Sequence, residues 1–169
     1  MSIYGYCRIS TAKQSIDRQI RNIKAEYPTA HIVQEAYTGT SIFRPEWLKL
    51  YRILRAGDVV VFDSVSRMSR NAEEGFALYE DLYHKGIRLV FLKEHHIDTE
   101  TYKKALSGSI AMTGTNVDFI LKGINEYLMA LAKEQIKLAF EQSEKEVADL
   151  HQRTREGLLT ARLNGKQVG

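Results

Sequence analysis

Asp58-Val59-Val60-Val61-Phe62-Asp63 sets four consecutive apolar residues between two acids. A strand with one wet face alternates apolar and polar residues, whereas an unbroken run fits a strand covered by helices on both faces. The stretch therefore reads as the central strand of a wound α/β sheet. Ile87 to Leu92 is another continuous apolar run, and between the two, Asn71 with Glu74 makes a capping pair for a helix through Leu82. Upstream, Arg44-Pro45 leads into a helix expected to bury Trp47, Leu48, Tyr51 and Leu54 and to stop near Gly57. His31 to Glu35 is a short strand, Gln14 to Glu26 places Ile16, Ile20 and Ile23 at helical spacing before Pro28, and Tyr4 to Ser10 is an apolar strand. Four strands alternate with three helices. That order specifies an α/β domain with a mainly parallel central sheet flanked by helices.

In such a sheet ligands sit at the carboxyl ends of the strands. Those ends gather Arg8 and Ser10, Glu35, and the turn from Ser64 to Arg70 with its Arg67 and Arg70. Arg8 and Ser10, two apart on a strand, leave the same face. If the Ser64 to Arg70 turn is helical, Arg67 and Arg70 also share a face. His31, His84, His95, His96 and His151 show no triad-like spacing around the serine. Guanidinium groups take the place of a histidine: they bind phosphate oxygens bidentately, stabilise transition-state charge and ease ionisation of a hydroxyl. The set suits attack on a phosphodiester.

Other chemistries find little support. The loop after the first strand has neither a G-x-G-x-x-G nor a G-x-x-x-x-G-K-[ST] pattern, which argues against dinucleotide or nucleoside triphosphate binding. Cys7 is a lone mid-strand cysteine and reads as a small buried residue. His95 and His96 would face opposite sides of a strand and cannot share one metal ion. No metal and no cofactor are expected. With 44% hydrophobic residues, two prolines and no long apolar segment, the expectation is a compact soluble protein of the cytoplasm with no membrane partner. The formal charge of +3 is concentrated: residues 151–169 hold Arg153, Arg155, Arg162 and Lys166 against Glu156 alone, so a polyanion contact is expected at that tail.

Residues 95–115 give little pattern beyond a short helix around Tyr102 to Leu106. From about 116 the chain reads as one long helix, opened by a Thr115–Asp118 capping box and free of proline to the end. Ile120, Ile124, Tyr127 and Leu131 form one apolar stripe, and Ile136, Phe140, Val147 and Leu150, with Ser143 between, a second at alternating four and three spacing. The second stripe is expected to lie beyond the parent sheet and to be covered by another copy of the chain, making this a dimerisation helix.

Two functions compete on these observations, a phosphoryl-transfer enzyme using Ser10 with Arg8, Arg67 and Arg70, or a non-catalytic α/β regulator whose arginines only bind phosphate or nucleic acid. The first explains more residues. Y-C-R-I-S-T-A-K-Q-S-I-D-R-Q at 6–19, Gly39 with Arg44, S-V-S-R-M-S-R-N at 64–71 and Q-R-T-R-E-G at 152–157 together resemble the catalytic domain of the serine site-specific recombinases, the resolvase and invertase family. The resemblance implies a resolvase-like fold and Ser10 as the nucleophile that forms a 5′-phosphoserine link to DNA and frees a 3′-hydroxyl. It further implies Arg8, Arg67 and Arg70 on the phosphate, Gln14, Asp17, Gln19, Arg44 and Arg153 as supporting or DNA-binding residues, and religation without metal or ATP. It also implies DNA as partner, and a homodimer that pairs into a synaptic tetramer. Ser66 stands where many small resolvases have an aspartate, and Val147 where many have an arginine, which leaves the general acid unassigned. The 95–115 insertion resembles the large serine recombinases of mobile elements. On that likeness residues 1–150 are the expected catalytic domain and 151–169 a basic DNA-proximal arm, the chain being a truncated fragment that lacks a C-terminal DNA-binding region.

Overall fold

A computed structural model describes residues 1–9, 16–36, 44–107 and 110–165. Strands β1 (Ile3–Ile9), β2 (His31–Ala36), β3 (Val59–Phe62) and β4 (Arg88–Phe91) form one sheet in the order β2-β1-β3-β4. All three ladders are parallel, with Tyr4 opposite His31, Tyr6 opposite Phe62 and Phe62 opposite Phe91. The helices are α1 (Asp17–Glu26), α2 (Pro45–Ile53), α3 (Val65–Met68), α4 (Ala72–His84), α5 (Thr99–Ser107) and α6 (Asp118–Leu163), with a 3₁₀ turn at His95–Ile97.

The apolar run of β3 is buried throughout because both faces of the sheet are covered. Val60 and Phe62 join Tyr6, Leu89 and Phe91 in a core with Trp47, Leu50, Tyr79 and Phe140 from the helices. Val59 and Val61 face the other way, with Cys7, Val90 and Ile23 of α1. Gly5 lets α1 come close, since a Cβ there would meet the Ile23 side chain at 2.8 Å.

Three expectations need correction. In α2, Leu50 is buried and Leu48 exposed, because the stripe Trp47, Leu50, Tyr51, Leu54 is the one that turns inward. At the start of α6, Val117 is already helical, so Thr115 Oγ1 accepts from Val117 N (3.4 Å) and does not cap Asp118. Instead the Asp118 carboxylate accepts from Thr113 N, Thr113 Oγ1 and Gly114 N, at 2.7, 2.8 and 2.8 Å.

The third correction is the largest. Ile136, Ala139 and Phe140 lie in the core of their own domain, against α4 and β4, and are not left for a partner. The 46-residue helix, about 70 Å at 1.5 Å per residue, is docked through its middle. Its first stripe is the exposed one, with Ile120 and Tyr127 largely open together with Phe119, and Ile124 and Leu131 partly so. Leu150 is exposed too, and the Val147 side chain lies outside what is described. Among the described residues no helix is long and apolar enough to cross a membrane.

Candidate active site

The carboxyl ends of β1 and β3 carry the site. Arg8 is buried to 4% exposure, and its Nη2 donates to the carbonyl of Ser66 in α3. Arg67, also in α3, donates from Nη1 to the carbonyl of Arg8 at 3.2 Å. Arg44, at the start of α2, donates from Nη1 to the carbonyl of Met68. Three guanidinium groups are thus oriented by backbone carbonyls, which fix geometry without neutralising charge. Among the described residues none of Arg8, Arg44, Arg67 and Arg70 forms an ion pair with a carboxylate within 4 Å, and Nε of Arg8 and of Arg67 are buried without a hydrogen-bond partner.

Burial, then the neighbouring charges of Arg44 and Arg70, lowers the Arg8 guanidinium to about 9. Burial also lowers Arg67, opposed by Asp63 and reinforced by Arg18 and Arg70. Like charges held together in a partly dry site need an anion between them. A phosphodiester, with oxygens on several sides, matches fork-shaped donors coming from different elements.

The supporting structure is built from carboxylates kept clear of those donors. Glu35, buried at the end of β2, accepts from Trp47 N (2.9 Å) in the first turn of α2 and from Tyr6 Oη (3.4 Å), so it sets where Arg44 begins. Glu94, held above the usual carboxylate range by burial, accepts from Val65 N (3.1 Å) and caps α3. The Ser64 and Ser66 hydroxyls are 2.7 Å apart in the same turn. α3 stops at Met68 because Ser69 is extended, its Oγ donating to Asn71 O (2.9 Å), so the condition for Arg67 and Arg70 to share a helical face, a helix running through Arg70, is not met. Their charges converge on Arg8 all the same.

Of the other residues named from the sequence, Ser10 and Gln14 lie outside the described residues. Gln19 is buried, with Oε1 accepting from Arg8 N (3.1 Å) and Nε2 donating to Arg8 O (2.9 Å). It fixes the end of β1 from α1 and is not open to a DNA contact. Asp17 is exposed in the first turn of α1. Arg153 is exposed on α6, about 20 Å along the axis beyond Phe140, so it is not brought into the arginine cluster. Burial and the nearby Asp63 push the Cys7 thiol up to about 12, which leaves it protonated and inert. Sequence reasoning missed Asp63, Glu94 and the serine pair. The available signal was an acid and two serines directly after the central strand.

Residues 3–136 match the family model described as Resolvase, N terminal domain. The chain is 27% identical over 159 residues to the transposon Tn21 resolvase of Escherichia coli, covering 90% of this chain and 83% of that one. It is also 27% identical over 169 residues to a resolvase of Clostridium perfringens (strain 13 / Type A), covering 99% and 75%. A resolvase family site-specific recombinase from Streptococcus pneumoniae, known as a crystal structure, superposes with a TM-score of 0.46 at 19% identity over 96% of this chain and 98% of that one.

Proposed function

Because the chain belongs to the resolvase family, matching its N-terminal domain over residues 3–136, we propose that it is a site-specific DNA recombinase in which Ser10 is the nucleophile. The observation that carries the reading is the cluster of Arg8, Arg44, Arg67 and Arg70, the first three pinned by backbone carbonyls and all four unpaired with any carboxylate among the described residues. A scissile phosphate would complete it.

In the mechanism proposed, the Ser10 hydroxyl gives up its proton as its oxygen attacks phosphorus, the bond to the 3′-oxygen breaks, and that oxygen takes up one proton and leaves as a free 3′-hydroxyl. The phosphoserine ester conserves the energy of the broken bond, so attack by a 3′-hydroxyl reverses the step without ATP. Arg8 and Arg67, joined through the Arg8 carbonyl, would hold the two non-bridging oxygens while negative charge builds on them. Gln19 keeps the end of β1, and therefore Arg8, in register. Residues 151–169 would act as the basic DNA-proximal arm.

Resolvase family proteins bind DNA and act as oligomers. For this chain we place the homodimer contact, and the pairing of dimers into a synaptic tetramer, on the exposed Phe119 to Leu131 half of α6. The test of the catalytic reading is covalent trapping. Protein is incubated with duplexes tiling the DNA on either side of its own gene and quenched in denaturant. A DNA–protein adduct mapping by mass spectrometry to Ser10 is expected, and Ser10→Ala should form none. An adduct that persists in Ser10→Ala would remove Ser10 from the role.

A further inference from the structure

We infer that Asp63 is a positioning residue that holds the Arg67 guanidinium against the sheet by through-space attraction, so that no carboxylate takes up the donors left over from its bond to the Arg8 carbonyl. The inference rests on the recombinase reading above. Asp63 follows β3 directly and is buried to 1% exposure. Its Oδ1 accepts from Asn22 Nδ2 of α1 at 2.8 Å. Its Oδ2 is buried without a hydrogen bond, with Lys93 Nζ at 3.6 Å and Arg18 Nη2 at 3.9 Å.

A buried carboxylate with an orphaned oxygen is an expensive arrangement and calls for a reason. Lys93 and Arg18 compensate its charge only through long contacts, at 3.6 and 3.9 Å, from side chains that are themselves more than half exposed. The position supplies the reason. The register that sets Tyr6 opposite Phe62 puts Asp63 beside Cys7, and Arg67 donates to the carbonyl of the next residue, Arg8. Asp63 and Arg67 therefore flank the same point of β1, and both act electrostatically on Cys7. Among the charges acting on Arg67, Asp63 is the largest, opposing burial and the repulsion of Arg18 and Arg70. A carboxylate within 4 Å would occupy the guanidinium fork. At a longer distance, Asp63 restrains the cation without taking up those donors.

The test replaces Asp63 by asparagine, which keeps the shape and an acceptor for Asn22. Arginine side chains are labelled with ¹⁵N, the Arg67→Lys variant assigning the Arg67 signal. In Asp63→Asn the exchange of the Arg67 Nε hydrogen with water should quicken by about tenfold, the equivalent of one pK unit of coupling. Affinity for inorganic phosphate, read on the same signals, should hold or rise, because a repelling charge is gone. Single-turnover DNA cleavage should fall by about ten- to a hundredfold, the scale of a misplaced catalytic group. Tighter anion binding with slower cleavage is a split that loss of fold cannot give.

Wild-type exchange and wild-type cleavage in Asp63→Asn would overturn the inference. Should that variant melt early, Asn22→Ala decides: it keeps the carboxylate but frees Oδ1, and must shift exchange and cleavage in the same direction by a smaller factor, unchanged values again overturning the inference. If the wild-type protein forms no adduct with any DNA, the recombinase reading fails, while the Arg67 exchange, measured in protein alone, still decides the coupling.

Discussion

Arg8 shows how a single residue can be a burden to the fold and a requirement of the site. Burial, then the neighbouring guanidiniums of Arg44 and Arg70, lowers its guanidinium from its ordinary value to about 9. A depressed basic group disfavours folding at every pH where the buried form is still charged, so below about 9 the free protein bears that burden in full. Removing the charge should relieve it. Arg8→Met is expected to lose DNA cleavage by about 10²-fold or more, yet to melt no lower than wild type and up to about 2–4 °C higher in thermal unfolding. The same depression gives a pH dependence for the free protein. Anion binding needs the protonated form, so affinity for inorganic phosphate should stand below pH 9 and fade as pH rises through about 9, a titration followed by calorimetry. Binding that stays constant to pH 11 would show that Arg8 does not contribute to the anion site.

Between elements, the junction of α4 and α6 bears most on the fold. Phe140 is fully buried against Phe91, at a centroid distance of 6.4 Å, and Gly75 of α4 meets its ring so closely that an added Cβ would come within 2.6 Å. Glu144 Oε2 accepts from Ala72 N (3.0 Å), so α6 also caps the start of α4. Phe140→Ala should cost about 3–5 kcal/mol in urea unfolding. Gly75→Ala, which would favour an isolated helix by about 1 kcal/mol, should here destabilise by about 1–3 kcal/mol through overpacking. A stabilised Gly75→Ala would mean that α6 is not docked there in solution. Because α3 also packs on α6, undocking the long helix should disturb the turn that carries Arg67.

For the molecule as a whole, the exposed start of α6 is the feature a monomer does not explain. Phe119, Ile120 and Tyr127 are 84%, 66% and 64% exposed, and Leu131 extends the patch. Together they form an apolar surface of the kind that marks a contact between proteins. Tyr127→Glu with Ile124→Glu should shift association toward monomer in sedimentation while leaving the unfolding free energy from urea titration within about 0.5 kcal/mol of wild type, since neither side chain is in the core. Association that is unchanged in the double variant would place the contact elsewhere.

The order of elements was legible in the chain itself, because the periods of two and 3.6 and the unbroken run Val59 to Phe62 are local properties of sequence. The candidate arginines were legible for the same reason: residues at strand ends of a parallel sheet converge on one edge. Which stripe of α6 faces inward was not. Ile136 with Phe140 and Ile120 with Ile124 have the same spacing, and only the packing of α6 on α4 and β4 decides that the first pair is buried and the second exposed. Nor could spacing separate Gln19 as a brace of Arg8 from Gln19 as a DNA contact, or show that Asp63 stands behind Arg67. Those depend on how α1 and α3 lean on β1. The chain thus determined its own elements and their carboxyl edge by pattern, while tertiary packing decided burial, charge balance and the free surface, which arise from contacts between residues far apart in sequence.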